Sequence, residues 1–168
     1  MVTHLRADRY DDPNWPQVMQ GERCRQQGQV DAALQHFNNA IAAFTSVTLL
    51  ELRVGTFICR GVAHAQLGNT DQAAMDFSEA IRLDPQRGLA YYNRGIARET
   101  LGQHALAMAD YTDATLMSPQ VPDTYIRRGL LLKRQGRTEE ARRDFAVVRR
   151  MNNSKRTAGI DSSGTNST

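Results

Sequence analysis

Three arginines stand sixteen residues ahead of three aspartates: Arg60 and Asp76, Arg94 and Asp110, Arg128 and Asp144. Opposite charges that recur at one spacing can pair with each other between helices, or they can form a ladder for a charged partner. In the corresponding upstream columns stand Gln20 and His36, so both charges are missing together. That joint loss predicts columns that face each other, and ion pairs between helices are the preferred reading. The other chemistry-bearing residues are scattered. His4, His36, His64 and His104 include no pair at metal-ligand spacing within one helix. Cys24 and Cys59 lie 35 residues apart, neither a CxxC pair nor a disulfide framework. No GxxxxGK, GxGxxG, HExxH or GxSxG stretch occurs. No catalytic residue, metal ligand or cofactor is expected.

The charged columns sit inside a longer period. Gly61, Gly95 and Gly129 are 34 residues apart, and Gly68, Gly102 and Gly136 follow each by seven. The same frame holds Ala73, Ala107 and Ala141, then Phe77, Tyr111 and Phe145, then Ala80, Ala114 and Val148. Pro85 and Pro119 close two of the units. An upstream unit contains Gly21, Gly28, Ala33, Phe37 and Ala40, set 40 residues ahead of the next rather than 34. Within a unit the apolar residues follow helical spacing. The later glycine interrupts it, as a helix end with positive φ requires. Each unit therefore reads as helix, tight turn, helix.

The earlier glycine falls mid-helix, where it is about 1 kcal/mol worse than alanine. It predicts close helix approach, with Ala33, Ala73, Ala107 and Ala141 as its small counterparts and the aromatic filling the gap beside them. Helices are expected over 15–27, 30–44, 49–67, 70–83, 87–101, 104–117, 122–135 and 138–151. Asn69-Thr70-Asp71 is rich in residue types that cap a helix start. Thr48-Leu49-Leu50-Glu51 reads as a capping box, so the third helix is expected to be extended at its start.

This frame resembles the tetratricopeptide repeat (TPR) family from about Asn14 to Asn153. Phe57, Tyr91 and Tyr125 match the family's first aromatic column. The chain departs from the family at the leucine position, which holds Arg60, Arg94 and Arg128. It departs again at the tyrosine position, which holds Cys24, His64, Arg98 and Leu132. Cys24 and His64 are expected to fill the core. The resemblance implies an all-α fold, a right-handed α-solenoid of four TPR-like helix-turn-helix repeats. They would span about 14–47, 48–87, 88–121 and 122–153. An N-terminal extension, 1–13, precedes them, and a tail, 154–168, is expected to be disordered.

The resemblance further implies that the first helix of each repeat lines a concave face. On the matching positions the partner-binding residues would be Ile58, Val62, Tyr92, Asn93, Ile96, Ile126, Arg127 and Leu130. Tyr92 would be the aromatic anchor, and Asn93 and Arg127 would set register by polar contacts. The family's carboxylate clamp needs Lys and Asn where Val18 and Glu22, or Ile58 and Val62, stand here. Asp123 occupies a further lysine position. A full clamp is not expected.

Composition narrows the function class. Apolar residues make up 40% and charged residues 23%, as in ordinary soluble domains. The longest apolar-rich stretch, Leu49 to Leu67, is broken by Glu51, Arg53, Arg60 and His64, so no membrane span is expected. No apolar signal stretch stands at the N-terminus, and the cysteine usage suits a reduced, cytoplasmic setting. From Arg127 to Arg156 eleven Arg or Lys face three acids, which leaves a basic C-terminal end. Those arginines could be a solvated cap on the last repeat or a surface for an acidic partner. The lack of interleaved exposed aromatics argues against nucleic acid. The expected function is a non-catalytic protein-protein interaction module, an adaptor, scaffold or co-chaperone-like protein. It would hold a partner peptide or helix in an apolar concave groove. The alternatives are a self-associating structural subunit forming a homo-oligomer, and a module that binds an acidic partner or polyanion through the basic end.

Overall fold

The computed structural model describes residues 12–161, with side chains to Ser154. Among the described residues the chain forms eight helices and no strand. They are α1 (Trp15–Gln26), α2 (Val30–Ala42), α3 (Leu50–Gln66), α4 (Thr70–Leu83), α5 (Gly88–Thr100), α6 (His104–Met117), α7 (Pro122–Arg134) and α8 (Thr138–Asp161). The first seven agree with the expected spans to within two residues at each end. The eighth runs ten residues past the expected 151 and takes in the first part of the segment expected to be disordered. Its sequence has no glycine or proline before Gly159, and the Ser154 hydroxyl bonds the Arg150 carbonyl within the helix. The remainder of that segment, 162–168, and most of the N-terminal extension, 1–11, lie outside the described residues.

The turn glycines do what their column requires. Gly28, Gly68, Gly102 and Gly136 all have φ between 73° and 77°, open only to residues without a Cβ penalty. The N–H of the next residue then returns to a carbonyl five residues back, as in Gln29 to Cys24 (2.9 Å) and Asn69 to His64 (2.9 Å). This closes each first helix and reverses the chain into the second.

The mid-helix glycines are explained differently from the sequence expectation. A methyl group on Gly21, Gly61, Gly95 or Gly129 would meet a ring carbon of Phe37, Phe77, Tyr111 or Phe145 at 2.6–2.8 Å. The aromatic ring lies directly on the glycine, so the ring and not the alanine is its partner. Ala33, Ala73, Ala107 and Ala141 are buried nearby and leave the ring its room.

The charged columns pair within each repeat. Arg60 holds Asp76 with two bonds (2.9 and 2.6 Å), and Arg128 holds Asp144 with two (2.9 and 2.7 Å). Arg94 holds Asp110 likewise, and Arg98 adds a 2.8 Å bond to the same carboxylate. Each of the three arginines also donates backward to the second helix of the preceding repeat. Arg60 reaches Asn38 (2.8 Å), Arg94 reaches Ser78 (3.1 Å) and Arg128 reaches Thr115 (2.9 Å). Each guanidinium further lies over the aromatic three residues upstream, Phe57, Tyr91 or Tyr125, at 5.5–5.7 Å from the ring centroid. In the first repeat the same columns carry a single bond between the Gln17 amide and His36 Nδ1 (2.9 Å).

The start of α3 is not built by a capping box. The Thr48 hydroxyl accepts from Thr45 N–H and from the Asn14 amide, and Leu49 at the N-cap makes no side-chain cap. Asn69 likewise makes no side-chain cap at the start of α4. The group that serves α3 is Asp12, buried and placed by the chain ahead of α1. One oxygen accepts from Asn14 N–H (2.9 Å) and its amide (3.0 Å), and the other accepts from Leu49 N–H (3.1 Å). Asp12 lies in the stretch expected to be a mere extension, and it belongs to the fold.

Polar residues enter several columns in the first and last repeats. The column that holds Leu34, Ala74 and Met108 ends in exposed Arg142, and the one that holds Ile41, Ile81 and Thr115 ends in exposed Arg149. At the other end Gln17 and Gln20 replace the aromatic and the arginine. A solenoid needs polar outer faces to stop.

Removing Arg60 strands Asp76, whose side chain is 6% exposed. Arg60→Leu is therefore expected to lower the unfolding free energy in urea by about 3 kcal/mol. Arg94→Leu should lower it by less, because Arg98 stays on Asp110. Equal losses would show that Arg98 does not share that charge. Asp12→Ala should remove about 1–2 kcal/mol by unpairing Leu49 and Asn14. Burial pushes the Asp12 carboxyl up, but the Asn14 and Leu49 N–H groups outweigh it and hold it below its ordinary value. Its contribution is thus complete above about pH 4 and fades as the pH falls through the lowered folded-state value. The difference between wild type and Asp12→Ala should shrink in acid, as urea titrations at pH 7 and pH 2.5 will show.

Candidate functional site

The first helices form a row. α1 touches α3 and α3 touches α5, while each second helix packs between its own first helix and the next one. Residues of α1, α3, α5 and α7 that point away from the second helices therefore share one face, and two cavities open along it.

The first cavity, about 290 Å³, lies between α1, α3 and α5. Trp15, Val18 and Met19 line it from α1, Leu52, Ile58 and Cys59 from α3, and Leu89 from α5. Its charged residues are Glu22, Glu51 and Arg87. Glu22 is bonded to Arg25 (2.6 Å), which holds its carboxyl below the ordinary range against the opposing effect of burial. Glu51 stands 4.0 Å from Arg87. The extra turn of α3 makes one wall: its first residue, Leu50, stands four places ahead of the start of α5 in the repeat frame.

The second cavity, about 400 Å³, brings together three of the expected partner-binding residues. Val62, Asn93 and Ile96 line it with Ala65, Gln66, Phe77 and Thr100. The other expected residues are dispersed. Ile58 is 8% exposed and belongs to the first cavity. Tyr92 is half-buried, its ring centroid 6.3 Å from that of Tyr111, and with Ile96 it supports the cluster of Ala107, Tyr111 and Leu131. Ile126 is half-buried, and Arg127 and Leu130 are exposed. The strip read from the sequence is thus an alternation of core-supporting and open positions. The residues that the sequence reading passed over are Trp15, Met19 and Leu89. The signal of Trp15 and Leu89 was present in one column, where Gly55 stands between these two bulky side chains.

The tyrosine-position residues behave as core. Cys24 is buried, with the Gln20 amide 3.8 Å from its sulfur. His64 is half-buried; burial lowers its pKa, Asp76 opposes and Arg60 adds to the lowering. Tyr111 donates to Glu99 (2.8 Å), which also accepts from Arg134 (3.0 Å). Burial and that carboxylate push the Tyr111 hydroxyl far above its ordinary range.

Among the described residues no group of three or more His, Cys, Asp or Glu side chains is placed to hold a metal ion, and no helix is long and apolar enough to cross a membrane. The Cys59 thiol in the first cavity is pushed up to about 11 by burial and by Glu22. At pH 8 only about one molecule in a thousand carries the thiolate that reacts. Alkylation of Cys59 by iodoacetamide at pH 8 should be at least a hundredfold slower than in unfolded protein. Rapid labelling of the native chain would show an activated thiol instead.

Two tetratricopeptide repeat profiles match the chain, over residues 60–123 and 122–143. Together they span half of the 168 residues. No curated protein sequence matches it. Among solved structures it is similar to MamA, at 20% identity and a TM-score of 0.78, over 91% of this chain and 85% of that one. It is also similar to the TPR domain of Arabidopsis OM64, at 24% identity and a TM-score of 0.64, over 72% of this chain and 95% of that one. A third similar structure is the second TPR of Spaghetti (RPAP3), bound to the HSP90 peptide SRMEEVD. The match has 24% identity and a TM-score of 0.57, over 59% of this chain and 92% of that one. With its four helix pairs, positive-φ turn glycines and aromatic rings seated on mid-helix glycines, the chain belongs to the tetratricopeptide repeat family, and its fold is an all-α TPR solenoid.

Proposed function

We propose that the chain is a non-catalytic adaptor that binds a partner polypeptide, as a peptide or a helix, along the row of first helices. The observation that carries this reading is the pair of cavities between successive first helices, both lined mainly by apolar side chains. Burying apolar surface there would contribute roughly 25 cal/mol per Å². Asn93 in the second cavity and exposed Arg127 offer polar contacts that would fix the register of the partner.

The RPAP3 structure holds a peptide that ends in acidic residues. This chain has Val18, Glu22 and Asp123 where the clamp for such a carboxylate needs lysine or asparagine. The partner is therefore held by apolar burial with few charges. Two free thiols suit a reducing, cytoplasmic setting.

Leu89 and Leu130 are 52% and 47% exposed on the first-helix face, so replacing them should leave the fold intact. Ile96 is a poorer choice, since it supports the Tyr111 cluster. The double variant Leu89→Glu/Leu130→Glu, checked by circular dichroism, is expected to lose at least tenfold of a partner that wild type retains as bait. Partners that survive the change and come off with moderate salt would instead place binding on the basic end formed by α7 and α8.

A further inference from the structure

Ten glycines have described surroundings, and all but one of them have a reason. Four take positive φ in the turns, and four sit beneath aromatic rings. Gly88 faces Ser118, which a methyl group there would strike. Gly55 lies inside α3, where glycine disfavours the helix, and among the described residues nothing comes within 4 Å of a methyl group placed on it. Neither backbone conformation nor packing requires it. What it does is leave space, and that space belongs to the first cavity, between Trp15 and Leu89.

We infer that Gly55 is the specificity-determining residue of an anchor pocket, formed with Trp15 and Leu89, that takes one bulky, uncharged apolar side chain of the partner polypeptide. The inference rests on the function proposed above and narrows it. The volume fits: a cavity of about 150 Å³ suffices for benzene, and this one is about 290 Å³. Its chemistry fits too. Glu22 is held by Arg25 and Gln26, and Glu51 faces Arg87, which also pairs with Asp84 (3.3 Å), so each rim carboxylate already has a partner. A charged side chain entering the mainly apolar pocket would lose its water without an unpaired counter-charge in exchange. The pocket lies on the same row of first helices as the second cavity, so one extended segment can engage both. A side chain at position 55 would fill the pocket from its floor.

Trp15 is the only tryptophan of the chain, so its emission reports this pocket directly. The full chain would be titrated with the N-acetyl amides of leucine, phenylalanine, lysine and glutamate, each to tens of millimolar. The leucine and phenylalanine amides should change Trp15 emission saturably, and the lysine and glutamate amides should not. Gly55→Leu should weaken the response at least tenfold. Gly55→Ala should melt at or above the wild-type temperature, because the methyl group enters open space. If Gly55→Leu does not fold, Leu89→Ala serves instead and should shift preference toward the phenylalanine amide.

No saturable response in wild type, an equal response in Gly55→Leu, or binding of the charged amides would overturn the inference. So would a pocket that takes the probes only after residues 1–11 are removed, which would assign it to the chain itself. A concentration-dependent dimer abolished by Gly55→Leu would assign it to a second copy and overturn it equally. If the partner is lost from Leu89→Glu/Leu130→Glu while the amides never bind, the adaptor reading stands and the anchor pocket falls.

Discussion

The guanidinium of Arg60, Arg94 and Arg128 occupies the position at which the repeat family places leucine, and the stacking of the repeats depends on it. One edge of the planar cation is fixed by an aspartate on the second helix of its own repeat. Another nitrogen reaches a hydroxyl or amide on the second helix of the preceding repeat, and one face rests on an aromatic ring. A leucine could fill the same volume but could not fix the angle between three helices. The rigid donor fork of arginine can, because its bonds are directional and its carboxylate partners are almost fully buried. Breaking such a pair strands a desolvated charge, so it resists slippage between repeats even where its net stabilisation is small. In the first repeat the arginine, the aspartate and the aromatic are absent together, and a single Gln17–His36 bond stands in their place.

A second constraint acts inside each repeat. An aromatic ring seated on a glycine lets two helices approach without a void, and the alanine one turn earlier leaves the ring its room. The arginine sets how one repeat meets the next, and the glycine sets how the two helices of a repeat meet. With both distances fixed, the first helices are brought into a row in which some outward side chains support the core, such as Tyr92 and Ile96, and others stand open, such as Leu89 and Leu130. That is where the cavities open. The site is thus a consequence of a framework whose energetics lie elsewhere, as is common when function is carried on a repeated scaffold.

This division explains what could be read in the sequence. The framework is written by residue type at fixed spacing: Gly28 and its counterparts, Gly21 and its counterparts, and the Arg–Asp columns all recur, and recurrence separates them from chance. The contacts that failed were the local ones. Thr48 has the spacing of a capping box, but Asp12 takes the Leu49 N–H from a distant point of the chain and leaves Thr48 to Thr45 and Asn14. No spacing rule reveals a carboxylate 37 residues away. The partner-binding strip was legible only as a face. Which of its members stand open depends on packing across repeats: Tyr92 is drawn onto Tyr111 and Ile58 is covered, while Leu130 is not. Trp15, Met19 and Leu89 were missed because they lie on α1 and α5, two repeats apart, and meet at one cavity only through the extended start of α3 that follows the longer junction between the first two repeats.

That irregularity is where the structure departs furthest from a uniform solenoid, and its parts bear on one another. The longer junction carries α3 back by a turn, and the added turn needs a partner for its first N–H groups. Asp12 supplies one from ahead of α1, which in turn fixes Trp15 beside the new turn. Trp15 and Leu89 then face each other across α3, and a residue with a side chain at position 55 would close the gap between them. A uniform 34-residue period would contain none of these features. Gln17 at one end and Arg142 and Arg149 at the other stand in columns that are mainly apolar inside, while Phe145 and Val148 are only half-buried where Tyr111 and Ala114 are fully buried. Among the described residues the apolar cavity at Gly55 lies along the row of first helices, and the inserted turn gives that row its least repetitive part.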